Sequence, residues 1–533
     1  MSPFAPPVAS AEVVTRLGRQ NRGRASILRI VGVFGIWAAT GSVACSSGGG
    51  KVDAGGSSGS GGATVTGEGG AGPGAAGTGQ AGTGVGGAAG SAGVGGAAGS
   101  AAGAGGAAGG AGGAGAGGRP GGTCTFDVQH TQSPAISTVR IVTWTLDLAD
   151  LTEAHIDFGP SGAAPTVTAP VDLREPLHRT VLVGMKAAKP YTFRIVATDG
   201  AKTCTSADFS FTTGAVPDTV FKVGKSGSSP GASKGFIVTT GGISPPVDCP
   251  SAFIFDTDGD MVWWSSPELS RDSEGVSRAH LSWDAKAVWV MTSTTGKIQR
   301  ISIDGLATSD YTNVVKQPHH DFAVLPDGGI ATMLGRRGLT PPHAIVEIKI
   351  DGTVTTVVAD LSTLYPVGTY PNAIHYVAAD DSYTVSDRAQ SLFVKFKRNG
   401  TLVWQLGGSS PAGKGLTLVG LEPWKSNHGH HLTADGHFLF FNNDGTAAST
   451  TDTSRVMEVL IDETNRTATK TWEYALGDAS TANLGDVERL PNGNVLVTSA
   501  GSWEIDRSGT VLQSFSAGGY ADFRTSLYGP PPR

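Results

Sequence analysis

Short stretches of alternating apolar and polar residues recur along the chain from about Phe236 onward. One half of the recurring unit is an Asp-Gly or Asn-Gly turn followed by an alternating strand, in residues 325–333, 433–441 and 490–498. Residues 283–291 and 380–386 are the remaining copies of this strand. The other half is a hairpin, in residues 254–264, 298–306, 348–357, 393–404, 456–472 and 503–515. Such a turn between alternating segments is a strong signal for paired antiparallel strands.

The two halves alternate, and a full copy occupies roughly 45–60 residues, which is typical of a four-stranded β-propeller blade. Six hairpins predict six blades, with residues 236–264 in the first or the closing blade. A second and third β-sandwich would not explain the regular order of the two halves. We therefore predict an all-β protein in which residues 215–533 form a six-bladed β-propeller whose inner strands line a central channel.

Residues 123–214 have a different pattern, without the repeat. Short alternating segments at 138–144, 153–158, 166–171, 178–183, 191–198 and 208–212 are separated by turn residues. Six or seven short strands in about 90 residues are typical of a β-sandwich. Trp144 and the sequence Lys189-Pro190-Tyr191-Thr192-Phe193 make the segment resemble a fibronectin type III module. Such modules are usually spacers or adhesion units, so we assign it no chemistry.

The cysteines agree with this division of the chain. Cys124 and Cys204 lie near the two ends of the sandwich segment, and a disulfide between them would join its edges. Closing such a loop stabilises a fold by about 4 kcal/mol in the chain-entropy model. Cys249 is then left over, and we expect it to be buried as a small apolar residue.

Residues 46–122 cannot form a packed domain. They hold 36 of the 79 glycines of the chain, with alanine as the main other residue and four charged side chains. Such a segment buries too little apolar area to offset its chain entropy, so we predict a disordered tether. The formal net charge of the chain is −6, without a basic run in the globular part, which argues against nucleic acid as a partner.

The first 45 residues have the order of an export signal. A short apolar run, residues 30–39, follows five arginines and precedes small residues. The sequence Ser42-Val43-Ala44-Cys45 resembles the bacterial lipoprotein signal, in which the cysteine is acylated. Ordinary cleavage after Ala44 is the alternative. We expect an exported protein that is anchored at Cys45 to a membrane, facing the periplasm or the cell surface.

Histidines occur at equivalent places in the repeat. His320 and His428 each stand eight residues before the glycine of a turn, at Gly328 and Gly436. Equivalent positions in a propeller lie at the same end of the channel, so we predict a shared site. His319, His375 and His437 are interpreted as ordinary satisfied or solvated side chains.

A metal site is the alternative for this end of the channel. His428 and His430 are two residues apart, and such residues share a face of a regular strand. No carboxylate or cysteine joins them at ligand spacing, so we predict no metal and no other cofactor.

Four motifs in this region resemble the bacterial aryl-sulfate sulfotransferases, over about residues 236–515. They are His319-His320-Asp321-Phe322 before Leu325-Pro326-Asp327-Gly328, Asn372 sixteen residues before Arg388, Val403-Trp404-Gln405-Leu406-Gly407-Gly408, and Asn427-His428 before an Asp-Gly turn. Members of that family are exported six-bladed propellers that move a sulfuryl group from one phenol to another without a nucleotide donor.

The resemblance implies roles for individual residues. His428 would be the nucleophile that forms a sulfohistidine, while His320, Asn372 and Arg388 would hold the sulfuryl oxygens. A neutral imidazole can attack sulfur and leave again, and a planar guanidinium binds two oxygens at once. Thr498 or Ser499 would add a hydroxyl donor. The partners would be a phenolic sulfate donor and a phenolic acceptor.

One position departs from the family pattern. Tyr370 stands where the family has a histidine, and a phenol can donate a hydrogen bond but is not a cation near neutral pH. Two other hypotheses therefore stay open. One is a surface binding protein that kept the propeller without the chemistry, and the other is a metal-dependent propeller hydrolase such as a lactonase.

Overall fold

The structure, a computed structural model, describes residues 123–240, 252–265, 276–292, 296–335, 342–365, 370–409, 413–444, 453–481 and 483–531. The signal at 1–45, the tether at 46–122 and Cys249 lie outside these ranges. The described residues form β-strands and three short 3₁₀ segments, Pro176–His178, Leu361–Thr363 and Gly477–Ala479. In this part of the chain we find no helix with the length and apolar character needed to cross a bilayer.

The sandwich segment contains eight described strands. They are β1 (Phe126–Gln132), β2 (Arg140–Leu146), β3 (Glu153–Pro160), β4 (Val167–Pro170), β5 (Thr180–Leu182), β6 (Pro190–Thr198), β7 (Thr203–Thr205) and β8 (Phe209–Thr212). One sheet has the order β1-β2-β5, and the other has the order β4-β3-β6-β7, with β8 also paired to β6. Alternate residues of β6 are buried in a core that includes Trp144.

The sequence pattern underestimated this strand count. Strand β1 was missed because only every other residue is partly buried and the rest are exposed and polar. Strand β7 was missed because it has only three residues, of which Cys204 alone is buried. The predicted disulfide is confirmed: Cys124 and Cys204 are bonded, with their Cα atoms 5.5 Å apart.

The remaining described strands follow in chain order. They are β9 (Lys225–Ser226), β10 (Phe236–Thr240), β11 (Ala252–Asp256), β12 (Met261–Trp264), β13 (Val276–Leu281), β14 (Ala287–Thr292), β15 (Ile298–Ser302), β16 (Thr308–Asp310), β17 (Pro318–Val324), β18 (Ile330–Leu334), β19 (Ala344–Ile348), β20 (Val354–Val358), β21 (Pro371–Val377), β22 (Ser382–Asp387), β23 (Leu392–Lys397), β24 (Leu402–Gly407), β25 (Thr417–Val419), β26 (Asn427–Leu432), β27 (His437–Asn442), β28 (Arg455–Asp462), β29 (Thr467–Ala475), β30 (Asp486–Arg489), β31 (Val495–Thr498), β32 (Ser502–Ile505), β33 (Val511–Phe515) and β34 (Ala521–Arg524).

These strands form six sheets within the described ranges. Their orders are β12-β11-β10-β34, β13-β14-β15-β16, β17-β18-β19-β20, β21-β22-β23-β24, β25-β29-β28-β27-β26 and β30-β31-β32-β33-β9. The strand pairs within each four-stranded unit are antiparallel, and the predicted turn strands and hairpins fall on them as expected. The last strand, β34, completes the first sheet by pairing with β10, with Phe236 opposite Arg524.

The innermost strands of the sheets form a ring. Strands β13, β17, β21, β26, β30 and β34 contact one another in this order, and β34 also contacts β13. The all-β, propeller-like architecture predicted from the repeat is therefore confirmed. Five of these strands (β13, β17, β21, β26 and β30) each begin a run of four consecutive antiparallel strands, so their starting residues lie together at one end of the ring, which we call the mouth.

Irregular pairing marks the mouth. The register shifts between Pro371 and Ala373 in β21, and between Asn427 and His430 in β26. Strand β17 has the same irregularity, and His320 within it has a φ of +63°. Bulges of this kind interrupt the alternation of faces and re-aim side chains, and they are frequent next to active sites. Three of the candidate site residues predicted from the sequence, His320, Asn372 and His428, lie in these bulges.

The sandwich packs against the opposite end of the ring. Its polar contacts reach turns that follow β11, β13 and β15: Lys186 with Asp258 at 2.7 Å, Lys286 with Asp172 at 2.9 Å, and Arg179 with Asp304. Sandwich residues Ile136, Val139 and Val183 also belong to the apolar core of the first sheet. The sandwich is therefore packed on the ring rather than held at a distance from it.

Tyr528, which follows β34, connects the two parts. Its ring packs against the cores of both the sandwich and the first sheet. Its hydroxyl accepts a hydrogen bond from the Val183 N–H at 2.9 Å and donates one to the Val181 carbonyl at 3.2 Å. The strand that closes the ring thus leads directly into a residue that fastens the sandwich.

We expect the Tyr528→Ala variant to lose about 3–5 kcal/mol of unfolding free energy, because a large ring leaves a packed interface. Tyr528→Phe, which leaves the Val183 amide without its acceptor and removes the donor to the Val181 carbonyl, should lose about 1–3 kcal/mol. Chemical unfolding of both variants measures this order. Wild-type stability in Tyr528→Ala would show that the contact does not hold the sandwich.

Candidate functional site

His428 lies at the start of β26, and its side chain is buried at the mouth, with the residue 5% exposed. Burial lowers the pKa of its imidazole to about 4, and the positive charge of Arg388 acts in the same direction. Hydrogen bonds to Asn443 and to the Ser426 carbonyl act in the opposite direction but are outweighed. The imidazole is therefore neutral at physiological pH, as a nucleophile must be.

Both nitrogens of His428 have partners. The Nδ1 atom lies against Asn443 Oδ1 and is 3.3 Å from the Ser426 carbonyl oxygen. The Nε2 atom accepts a hydrogen bond from the Leu484 N–H at 3.2 Å. Asn443 follows β27, on the strand next to β26, so neighbouring strands of one sheet supply the imidazole and its partner.

Arg388 brings a cation to the same place. It follows β22, and its backbone N–H donates to the Tyr370 carbonyl at 3.0 Å. Its Nη2 donates to Asn483 Oδ1 at 3.0 Å, next to the Leu484 that contacts His428. The positive charge of Arg388 also helps to lower the pKa of His428, so the guanidinium lies within electrostatic range of the imidazole.

Tyr370 and His320 form the neighbouring side of the mouth. Their rings meet edge to face, with centroids 5.2 Å apart. The Tyr370 N–H donates to Asp387 Oδ2 at 2.8 Å, which holds the loop before β21 against the end of β22. A ring contact joins His320 to Tyr370, a backbone hydrogen bond joins Arg388 to Tyr370, and the charge of Arg388 acts on His428. Residues of three sheets therefore lie near one another at the mouth, and the shared site stays a prediction.

Asn372 occupies a different position from the one that the resemblance implied. It is fully buried in the bulge of β21. Its Nδ2 donates to the Asn427 carbonyl at 2.8 Å, and its Oδ1 accepts from the Ser386 hydroxyl at 2.7 Å. Both ends of this amide are therefore bonded within the protein, and the amide supports the strand that carries His428.

The floor of the mouth is a buried ion cluster that the sequence analysis missed. Arg278, at the start of β13, lies 3.0 Å from Asp321 and 2.5 Å from Asp486. Burial acts to lower the pKa of Arg278, but the two carboxylates outweigh it and raise the pKa. Asp321 also accepts from the Ile374 N–H at 3.0 Å. The three residues of the cluster and His375 line a cavity of about 80 Å³.

The cluster connects the two histidine strands. Asp321 directly follows His320, and Asp486 packs against Gly429, which directly follows His428. A β-carbon at Gly429 would lie 2.7 Å from the Asp486 Cα atom, so this close approach needs glycine.

The sequence held a signal for two residues that the sequence analysis missed. For Arg278 the signal was a charged residue near the start of an inner strand. For Asn443 the signal was its place after the second strand, equivalent to Arg388.

His430 does not share the surroundings of His428, because the bulge between them breaks the alternation of faces. Its Nε2 lies 2.8 Å from the Thr384 hydroxyl, and its ring packs against Phe393 and Phe438. Burial lowers its pKa to about 3. The premise that these two histidines share a face is thus wrong. Among the described residues we find no group of three or more His, Cys, Asp or Glu arranged to hold a metal ion.

The remaining sequence candidates lie nearby. Thr498 ends β31, opposite Asp486, and is 1% exposed. The next residue, Ser499, donates from its hydroxyl to the Ala479 carbonyl at 3.4 Å and accepts from the Ala500 N–H at 2.6 Å. Thr498 therefore lies beside Asp486 of the buried ion cluster, and the Ser499 hydroxyl is bonded to backbone groups of the protein.

Comparisons with solved structures give only distant similarities. A streptogramin B lyase has 14% identity and a TM-score of 0.36, and covers 55% of this chain and 87% of its own. The periplasmic gluconolactonase PpgL of Pseudomonas aeruginosa has 13% identity and a TM-score of 0.33, and the match covers 55% of this chain and 99% of that protein. The β-propeller domain of Cps50 (Swd1) from Myceliophteria thermophila has 10% identity and a TM-score of 0.33, and the match covers 57% of this chain and 88% of that chain. At these TM-scores the similarities carry no conclusion about function.

No curated protein matches the chain. Residues 369–518 match the model of a family described as arylsulfotransferase (ASST). The matched segment contains Tyr370, Asn372, Arg388, His428 and Thr498, whereas His320 precedes it. The match agrees with the resemblance noted in the sequence motifs: over residues 369–518 this chain is similar to the arylsulfotransferase family.

Proposed function

We propose that the protein transfers a sulfuryl group from a phenolic sulfate ester to a second phenol through a sulfohistidine at His428. The family of residues 369–518 supports sulfotransferase-type activity with small aryl sulfate and phenol substrates. The observation that carries the finer proposal is the neutral imidazole of His428 beside the guanidinium of Arg388. The first provides a lone pair, and the second provides a fixed cation for sulfuryl oxygens.

The first step forms one bond and breaks another. The Leu484 N–H first gives up its hydrogen bond to His428 Nε2. The freed Nε2 lone pair attacks sulfur, the N–S bond forms, and the S–O bond to the donor phenol breaks, so that a phenolate leaves. Negative charge on the sulfuryl oxygens is stabilised by Arg388, as cations stabilise phosphoryl transfer. The Tyr370 hydroxyl and the His320 imidazole, on the adjacent side, supply further hydrogen-bond donors in this proposal.

The second step reverses the first with a different phenol. The acceptor oxygen attacks sulfur, the N–S bond breaks, and the imidazole returns to its neutral form. The proton of the acceptor phenol passes to the departed phenolate or to solvent, so no cofactor is consumed. Asn372 acts through Asn427, because its amide donates to the backbone carbonyl beside His428. Such a mechanism has ping-pong kinetics.

We expect the full chain to become covalently sulfated at His428 when it is incubated with a chromogenic aryl sulfate without acceptor. Rapid mixing with a non-acidic quench, followed by peptide mass spectrometry, locates the label, and adding a phenol should discharge it. A matched control is His437→Ala, which removes an imidazole bound to Glu458 at 2.8 Å, away from the mouth.

Two outcomes would contradict the proposal. Label at a residue other than His428 would move the nucleophile elsewhere. Phenol release and transfer without any labelled protein would exclude a covalent intermediate. Tight binding of the aryl sulfate without turnover would instead support a non-catalytic binding protein, for which the departure at Tyr370 is the present argument.

A further inference from the structure

We infer that Asn443 is a positioning residue that holds His428 in the tautomer with its proton on Nδ1, so that Nε2 is the nitrogen that attacks. The inference deepens the proposed function and rests on it. It concerns a residue that does not itself touch the transferred group. Its basis is the set of hydrogen bonds around the two side chains, which independently require the same arrangement of the proton.

The orientation of the Asn443 amide is determined by its donors. Asn443 is 1% exposed, and its Nδ2 donates to the Thr481 carbonyl at 2.9 Å and to the Leu484 carbonyl at 2.8 Å. Turning the amide over would place its oxygen against two carbonyl oxygens and lose both bonds. The Oδ1 atom must therefore face His428 Nδ1, and an oxygen without a hydrogen can only accept. It follows that Nδ1 carries the proton.

The other nitrogen of the ring gives the same answer. The Leu484 N–H points at Nε2 from 3.2 Å, and a backbone N–H can only donate. The Nε2 atom therefore holds the lone pair. The turn that presents this N–H depends on Gly485, which has a φ of +118° and lies so near Phe441 that a β-carbon would be 2.5 Å from its ring. Leu484 thus has two roles: its N–H donates to His428 Nε2, and its carbonyl accepts from Asn443 Nδ2.

The arrangement has a chemical consequence for each step. Before attack, a neutral amide acceptor leaves the imidazole uncharged, whereas a carboxylate would favour the protonated form. After attack, the sulfated ring is cationic, and the Nδ1–H···Oδ1 bond to Asn443 becomes charge-assisted and stronger. A ring with its proton on Nε2 would have no lone pair on the nitrogen that attacks and could not accept from the Leu484 N–H. Asn443 therefore acts on the rate through the state of His428.

Nitrogen-15 NMR of histidine-labelled full-length protein tests the inference directly. In the wild type, His428 should be neutral with Nδ1 protonated, and it should titrate near pH 4. Asn443→Leu, which cannot accept, should show a mixture of tautomers and a transfer rate lower by roughly 10²-fold or more. Asn443→Asp should keep the Nδ1–H tautomer but titrate at higher pH, because a carboxylate stabilises the imidazolium.

Ser454→Ala is the matched control. The Ser454 hydroxyl supports the same region through the Asn443 backbone carbonyl at 3.0 Å and the Thr481 carbonyl at 2.9 Å. Its removal should lower stability while the His428 tautomer and titration stay unchanged. If Asn443 is only structural, Asn443→Asp will show no shift in titration.

A wild-type His428 protonated at Nε2, or an undiminished Nδ1–H tautomer in Asn443→Leu, would overturn the inference. If Asn443→Leu does not fold, the wild-type tautomer and the Asn443→Asp titration still decide it. These measurements need no turnover, so they distinguish a wrong tautomer assignment from a wrong proposal of sulfuryl transfer.

Discussion

Replacing His428 with alanine should reduce sulfuryl transfer by about 10⁴–10⁶-fold, the range seen when an enzyme loses its nucleophile. The physical reason is that the other groups at the mouth, Arg388 included, stabilise charge but cannot form the bond to sulfur. Steady-state transfer from an aryl sulfate to a phenol measures the loss. Thermal unfolding shows whether the variant stays folded.

The control for this prediction is again His437→Ala, which should keep wild-type transfer. His437 begins β27 and pairs with Glu458, whereas the mouth lies at the other end of that strand. Equal transfer by His428→Ala and the wild type would remove His428 from the chemistry. It would also leave the buried neutral imidazole without a catalytic explanation.

Replacing Arg278 with methionine should destabilise the protein by about 3–5 kcal/mol, because two buried carboxylates lose the cation between them. Asp321 and Asp486 are 1% and 4% exposed, so water cannot replace the guanidinium. Transfer should fall as well, since Asp321 adjoins His320 and Asp486 packs against the residue after His428. Chemical unfolding and the transfer assay measure the two effects.

A triple variant separates the charge from the packing. Arg278→Met combined with Asp321→Asn and Asp486→Asn removes all three charges and should recover most of the lost stability. Arg455→Met removes a more exposed arginine, whose partners are Asp444 and Glu473, and should change stability by less than about 1 kcal/mol. If Arg278→Met is as stable as Arg455→Met, the cluster is not what holds the floor of the mouth.

The bulges explain where interpretation of the pattern failed. The alternation of apolar and polar residues correctly located the inner strands. A strand that buries one face against the next sheet must place an apolar side chain at every second position. The same alternation predicted that His428 and His430 share a face. In β26 the register shifts between Asn427 and His430, and the two imidazoles contact different residues. One inserted residue reverses every face after it, and local sequence does not show which strand contains it.

The roles of the side-chain amides of Asn372 and Asn443 could not be predicted from the sequence either. Motif spacing identified Asn372, yet only the contacts show that its two ends bond to Asn427 and Ser386. Asn443 belongs to no motif that we recognised, although it stands at the position equivalent to Arg388. An amide can bind a substrate or support a neighbour equally well, and its burial decides which.

The sequence by itself determined the elements of this protein: alternation and turn residues specify strands locally, and the repeat specifies that they recur as sheets. It also determined the Cys124–Cys204 pair and the equivalence of His320 and His428. Only the tertiary structure decided how Arg278 meets Asp486, 208 residues away, and how the turn at Leu484 reaches His428. Closing the ring brings together strands that are remote in sequence, and the contacts that this creates have no local signature.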